Sequence, residues 1–378
     1  MSLLDSLTPY VQDNAPWKKG VWKALLQMGL PNKKWDAFKY SSLLPLNSAS
    51  FKICSNNEIQ LNISSAAGII ALPLFSAMRP YGALLSKSFQ ETLLHETNPY
   101  TLLNQAFADA PLFVYVPPGK KVEMEWTLPT FEQGAMHSPK VDLFVGKNAE
   151  VSIYYKAEGQ GEYFYNQQLQ MTLDEGASVT LLEHLKHSSS GNVMHSLRAR
   201  LRRASSLKVT TISKGAKLER HDLKVSLEGE GSSVDLQGLS LPSRKEEIHH
   251  FLTVQHQAPK CHSNQHYKTL LRGSARSSFE GKIYVEREAQ LTEAYQLNNN
   301  LILSPHAKAM SKPNLEIFAD DVKASHGATC ARPSEEELFY MRTRGLSKKE
   351  AEGQLAEGFC KEIVSEATLR EFFQQESE

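Results

Sequence analysis

The segment Ala319-Asp-Asp-Val-Lys-Ala-Ser-His-Gly-Ala-Thr-Cys330 places an acidic pair, an imidazole and a thiol within a dozen residues. Imidazole and thiolate are softer donors than carboxylate and suit iron, zinc or copper. His326 is therefore a candidate metal ligand, and Gly327 beside it lets the backbone approach closely. The same His-Gly pair also reads as an ordinary turn. Five more histidines (His249, His250, His256, His262, His266) fall within eighteen residues together with Cys261. Their spacing matches no closed zinc pattern. On strands they would scatter over both faces unless neighbouring segments brought them together. G-x-x-x-x-G-K-[ST], G-x-S-x-G, H-E-x-x-H and G-x-G-x-x-G are all missing. The chain thus has no P-loop of its own, and any energy from ATP must come from a partner.

The elements that would carry these residues fall into three regions. Residues 1–105 read as mostly helical: Pro16 opens a helix through Val21, Trp22, Leu25, Leu26 and Met28, and Gly29 closes it. Alternating apolar residues between Phe51 and Ser64 add one or two strands. Residues 106–330 read as strand throughout, in short runs such as Val141–Leu143–Val145, Val151–Ile153–Tyr155 and Leu169–Met171–Leu173. No crossover helix interrupts them, which excludes a βαβ architecture. Residues 331–378 turn helical again, with capping boxes at Ser334-x-x-Glu337 and Ser347-x-x-Glu350. Gly345 ends the first of these helices, and Ala351, Leu355, Phe359 and Ile363 follow at spacings of four along the second.

A repeat organises the middle region. Val151, Val179, Leu207 and Val234 begin equivalent apolar-x-apolar pairs at spacings of 28, 28 and 27, and Leu291 lies 57 further on. A fixed period of this size signals stacked units, each burying its apolar face only on its neighbours. All-strand units suggest a β-helix of roughly eight rungs, at about 28 residues each. An antiparallel sandwich with regular turns is the competing architecture.

Of 378 residues, 41% are hydrophobic and 22% charged, with Lys+Arg and Asp+Glu equal at 42 each. A neutral chain offers no general attraction for nucleic acid or anionic membrane. The longest apolar run, Ala66–Phe75, is too short to span a bilayer. The N-terminus lacks the basic and apolar segments of a secretory signal, and four cysteines without a CxxC pair make no disulfide scaffold. These features imply a cytoplasmic protein with reduced thiols. A polysaccharide-cleaving β-helix would need paired carboxylates flanking a groove. Adjacent Asp320 and Asp321 would instead face opposite sides of a strand.

Asp320-Asp-Val-Lys-Ala-Ser-His-Gly-Ala-Thr329, followed by Glu337-Leu-Phe-Tyr-Met-Arg-Thr-Arg-Gly345, resembles the signature of the SufB/SufD iron–sulfur cluster assembly family. Asn298-Asn-Asn-Leu-Ile-Leu-Ser304, Ser311-Lys-Pro-Asn-Leu-Glu-Ile317, Phe279-Glu-Gly-Lys-Ile283, His256-x-Ala-Pro-Lys-Cys-His-Ser263 and Val114-Tyr-Val-Pro-Pro-Gly119 extend the likeness. So does Gly29-Leu-Pro-Asn-Lys-Lys-Trp-Asp-Ala-Phe-Lys-Tyr40 near the start. The His-Gly-Ala-Thr segment, and the absence of a Cys-Asp-Ser motif near Asn298, resemble the SufD branch more than the SufB branch.

The resemblance implies a right-handed parallel β-helix flanked by helical regions, and a non-catalytic scaffold subunit paired with SufB. It implies a SufC ATPase docked on the C-terminal helices, near Leu338, Phe339, Leu355 and Phe359. It also implies that His326 faces a SufB cysteine and holds iron or a transient iron–sulfur cluster shared with SufB. Many relatives carry Cys where this chain has Ala324; Cys330 is the candidate substitute, against an ordinary buried-thiol role for it, Cys54 and Cys360. A homodimeric scaffold or iron-handling protein acting without SufB is the alternative reading.

Overall fold

A computed structural model describes residues 2–11, 16–54, 59–64, 68–108, 111–128, 131–365 and 368–369. Two long sheets face each other across one core. Apart from N-terminal additions and the short strand Ala135–His137, each sheet takes one strand per turn of the chain. The rungs run from Leu112–Val116 with Lys121–Thr127 to Lys308–Ile317 with Val322–Ala331, eight in all. Neighbouring rungs pair in parallel and in register. This is a β-solenoid, as the repeat implies; the sandwich alternative fails because no rung-to-rung pair is antiparallel.

Val151, Val179, Leu207 and Val234 stack directly on one another, as their spacing predicts. The same column then continues through Ser263, Ala294 and Ala324, not through Leu291. Leu291 belongs to a corner that every rung repeats. Asn148, Gly176, Ala204, Gly231, Lys260 and Leu291 all take positive φ, at 54°, 67°, 53°, 70°, 58° and 59°. Each donates its N–H to a carbonyl in the next corner, as from Asn148 to Glu175 (2.9 Å) and from Leu291 to Asp321 (2.6 Å). The left-handed turn recurs three residues before each position of this inward column from Val151 to Ala294. Glycine takes it at Gly176 and Gly231 without a Cβ clash. Leu291 takes it with its side chain left 48% exposed.

The flanking regions clamp the outer faces. The fully buried helix Pro99–Phe107 lies on the first sheet, where Arg198 donates to Glu96 (2.9 Å) and to the Asp222 carbonyl (2.7 Å). Burial pushes the Glu96 carboxyl up, yet the charges of Arg198 and Lys224 and the Asn98 amide outweigh it and hold Glu96 at about 2. Helix Lys348–Lys361, with the capping box that Ser347 and Glu350 predict, packs Ala356 and Cys360 on Ile212, Leu239 and Leu270 of the second sheet. Among the described residues, no helix is long and apolar enough to cross a membrane.

The solenoid interior is apolar on one side and carries a polar lane on the other. His195, His221 and His250 occupy one inward column on successive rungs, their rings 5.1 and 5.0 Å apart. Glu183 accepts from Thr211 (2.7 Å) and pairs with His195 Nε2 (2.9 Å); Glu219 accepts from Ser213 (2.5 Å) and pairs with His221 (2.7 Å). Burial alone would raise both carboxyls, but these partners lower them. Burial pushes the His187 imidazole down from 6.5 to about 4, and His250 well below its ordinary value. His195 runs the other way: burial opposes its charge, but Glu183 raises it.

The sign of the pH dependence follows. His187 and His250 bind protons more readily unfolded than folded, so they favour the folded chain above pH 6.5 and that advantage is lost as pH falls towards 4. Glu183 and Glu219, also depressed in the folded state, withdraw their contribution at lower pH still. The share from His195 disappears instead as pH rises through its raised value. Urea midpoints should therefore fall steadily from pH 7 towards 4, His187 alone supplying about 3 kcal/mol of the change.

Candidate functional site at the open end of the solenoid

The two ends of the solenoid differ. At the first rung, Gln60–Ile63 and Ile70–Pro73 pair antiparallel onto the starting strands and cover both edges. At the other end, Lys308–Ile317 and Val322–Ala331 are the last strands of their sheets. Their outer backbone edges have no strand partner among the described residues. His326 and Cys330 both stand on Val322–Ala331, the final strand.

Register decides where they face. Gln296 and Asn300 point into the solenoid, and they are the partners of His326 and Cys330 in a parallel ladder. Paired residues of parallel strands share a face, so His326 and Cys330 point inward too. They are exposed because, among the described residues, no ninth rung covers them. Cys330 is thus not the buried thiol expected as the alternative; Cys54, Cys261 and Cys360 are buried. Burial of part of the Cys330 side chain raises its thiol, and the amide N–H that Asn300 donates to Sγ (3.5 Å) pulls it back.

The inward columns change character as they approach this mouth. One runs Ile153, Leu181, Val209, Leu236 and then Gln265, Gln296, His326. Another begins Ala157, Leu185 and ends Thr269, Asn300, Cys330. Gln296 donates to Gln265 (2.8 Å), and Asn300 to Asn298 (2.8 Å). A polar floor therefore lies under the two candidate ligands. The sequence alone does not single out Gln296, and it offers Asn298 and Asn300 only as part of the Asn298–Ser304 motif; aligning Ala294 rather than Leu291 with Val234 places all three beneath the candidate ligands.

Four residues of extended strand separate His326 from Cys330 by about 13 Å. Two donors on one metal ion lie within about 4 Å of each other. The pair cannot close a site unaided, and among the described residues no three His, Cys, Asp or Glu side chains converge on a metal position. An imidazole and a thiol still suit iron and sulfide, provided that further ligands come from outside the chain.

The other sequence candidates disperse. Asp320 and Asp321 lie exposed in the bend before the last strand, not on opposite faces of it. His250 and His256 point inward, whereas His249 bonds Ser278 (2.8 Å) on the outer face and His262 is exposed. Of the four C-terminal apolar residues, Leu338 is buried, Leu355 half-buried, and Phe359 packed under Lys268 (4.3 Å); Phe339 is 68% exposed.

Residues 129–359 match the family model described as the SUF system FeS cluster assembly, SufBD core domain. The chain belongs to the SufB/SufD family. An iron–sulfur cluster assembly SufBD family protein of Synechocystis is 32% identical over 249 residues, covering 62% of this chain and 54% of its own. The iron–sulfur cluster assembly protein SufD of Escherichia coli is 26% identical over 367 residues, 90% of this chain and 86% of its own. The chloroplastic protein ABCI7 of Arabidopsis thaliana is 30% identical over 279 residues, 70% of this chain and 58% of its own. The chain thus spans little more than half the length of two of these three relatives.

Cys330 is the only exposed thiol of four. Native-state alkylation with iodoacetamide should label one cysteine per chain, and Cys330→Ser should abolish the labelling. The rate should climb steeply through alkaline pH, as a raised thiol requires.

Proposed function

We propose that this chain is a SufD-type scaffold subunit whose open end pairs with a SufB-type solenoid to complete an iron–sulfur assembly site. The observation that carries the reading is the coincidence of two unpartnered strand edges with the rung that bears His326. Bare edges are templates for pairing with another chain. Among the described residues of the solenoid, the exposed large apolar side chains are Leu291, Leu297 and Phe318, all from its last two rungs. A second solenoid docked there would cover them and set its own thiolate against His326. Nascent cluster, as cargo, would then be held by ligands from both chains, and neither subunit alone would retain it.

The similarity to SufD of Escherichia coli over 90% of this chain supports the SufD assignment and, with it, a SufC-type ATPase partner. The docking face for that ATPase centres on Phe339 and Tyr340, 68% and 59% exposed, beside a cleft lined by Leu338, Arg342 and Lys348. Helix Glu335–Thr343 follows the His326 strand almost directly, so displacement of the helix reaches the site over a few residues. ATP hydrolysis by the partner could bias an open and a closed form of the mouth.

His326→Ala should leave folding and complex formation intact while abolishing cluster assembly, read by anaerobic iron and sulfide analysis of the purified complex. Normal cluster content would remove His326 from the mechanism. For the ATPase, removing residues 334–378 would uncover Ile212, Leu239 and Leu270, so point variants are the sounder test. Phe339→Ala with Tyr340→Ala should weaken ATPase capture in a pull-down at least tenfold with the far-UV spectrum unchanged; undiminished capture would reject this docking face.

A further inference from the structure

Gln296 spends its amide N–H on Gln265 in the rung beneath (2.8 Å), and its Oε1 is left buried without a donor. The residue itself is only 3% exposed. Room for the amide is built in from the opposite sheet: a Cβ on Gly281 would collide with Gln296 Nε2. A buried carbonyl left without a donor is costly, so a donor within reach is expected. The rung above offers one at the register position of Gln296, the imidazole of His326. Their backbones are about 4.8 Å apart.

From this juxtaposition we infer that Gln296 is the positioning residue of His326. Its Oε1 accepts the N–H of one ring nitrogen, fixing the tautomer, and the other nitrogen then presents its lone pair out of the mouth. Metal-binding histidines characteristically donate their second ring N–H to a carbonyl or carboxylate, which orients the ring and raises its basicity as a ligand. A bare imidazole on an edge strand would otherwise sample both tautomers and several rotamers. Gln265 continues the line inward, its own Oε1 receiving the Gln296 amide. The inference rests on the reading of His326 as a ligand, but it can be tested without cluster chemistry.

The experiment is nitrogen NMR of the full-length chain with 15N-labelled histidine, the His326 resonances being assigned by their loss in His326→Asn. In the unsubstituted chain, one ring nitrogen of His326 should carry the proton almost exclusively. Gln296→Leu keeps the volume and removes the acceptor, and should return the ring to a tautomer mixture. Gln296→Glu retains an acceptor and should restore the single form. Gln296→Met replaces the leucine variant if the latter lacks the native far-UV spectrum. An unchanged His326 pattern in a folded leucine or methionine variant overturns the inference, even if His326→Ala still abolishes cluster assembly. Conversely, loss of the single tautomer together with normal cluster assembly by His326→Ala would keep the contact and discard the ligand reading. With ferrous iron as probe on the assembled complex, Gln296→Leu should weaken binding about tenfold to a hundredfold.

Discussion

Everything in this molecule follows from the in-register parallel ladder. A rung cannot bury its own apolar residues; it does so against the rung before and the rung after. Each position along a strand therefore becomes a column running the length of the solenoid, and a residue in the last rung inherits the column's direction without its cover. His326 and Cys330 are inward-facing residues that lack a lid. Their exposure comes from termination of the stack, not from a loop carrying them to the surface. The arrangement fixes them on a rigid strand while leaving their inner sides accessible to another molecule.

The interior columns show how such a position is prepared. Isoleucine, leucine and valine fill the His326 column for four rungs, and glutamine takes over in the last two before the histidine. Further back, the ladder of His195, His221 and His250 with Glu183 and Glu219 occupies space that apolar side chains of similar volume could fill. Buried ion pairs of this kind rarely stabilise a protein relative to such a replacement, because desolvation offsets their attraction. Each carboxylate here has a hydroxyl and an imidazole partner, which keeps that penalty tolerable.

Much of this was legible in the sequence, for reasons that also set the limit. The spacing of Val151, Val179, Leu207 and Val234 gave the register of four strands to the residue, since an inward apolar position must recur once per turn. The pattern failed at Leu291 because the later rungs grow longer, with Val234, Ser263 and Ala294 separated by 29 and 31. At the same time an apolar residue occupied the left-handed corner that Gly176 and Gly231 fill earlier. That three-residue slip hid the partnership of Gln296 with His326. The buried-thiol alternative for Cys330 failed for a different reason: alternation shows that it faces inward, but only the order of strands shows that no described strand lies above it. Which end stays open is a property of the whole topology, and no local pattern encodes it.

The cover on the rest of the surface makes the bare end more informative. The N-terminal region is tied to the first sheet by Arg198 with Glu96 and, at the last rung itself, by Lys312 with Asp36 (2.7 Å). The C-terminal helix is tied to the second sheet through Lys268 and Glu362 (2.6 Å). These ties anchor a flanking region to the outer face of each sheet near its last rungs, while among the described residues the edges of the final strands have no strand partner. A chain selected only to fold alone would close this end with a strap like the antiparallel strands on its first rung. The asymmetry is what a subunit needs if its last rung is to be completed by another protein.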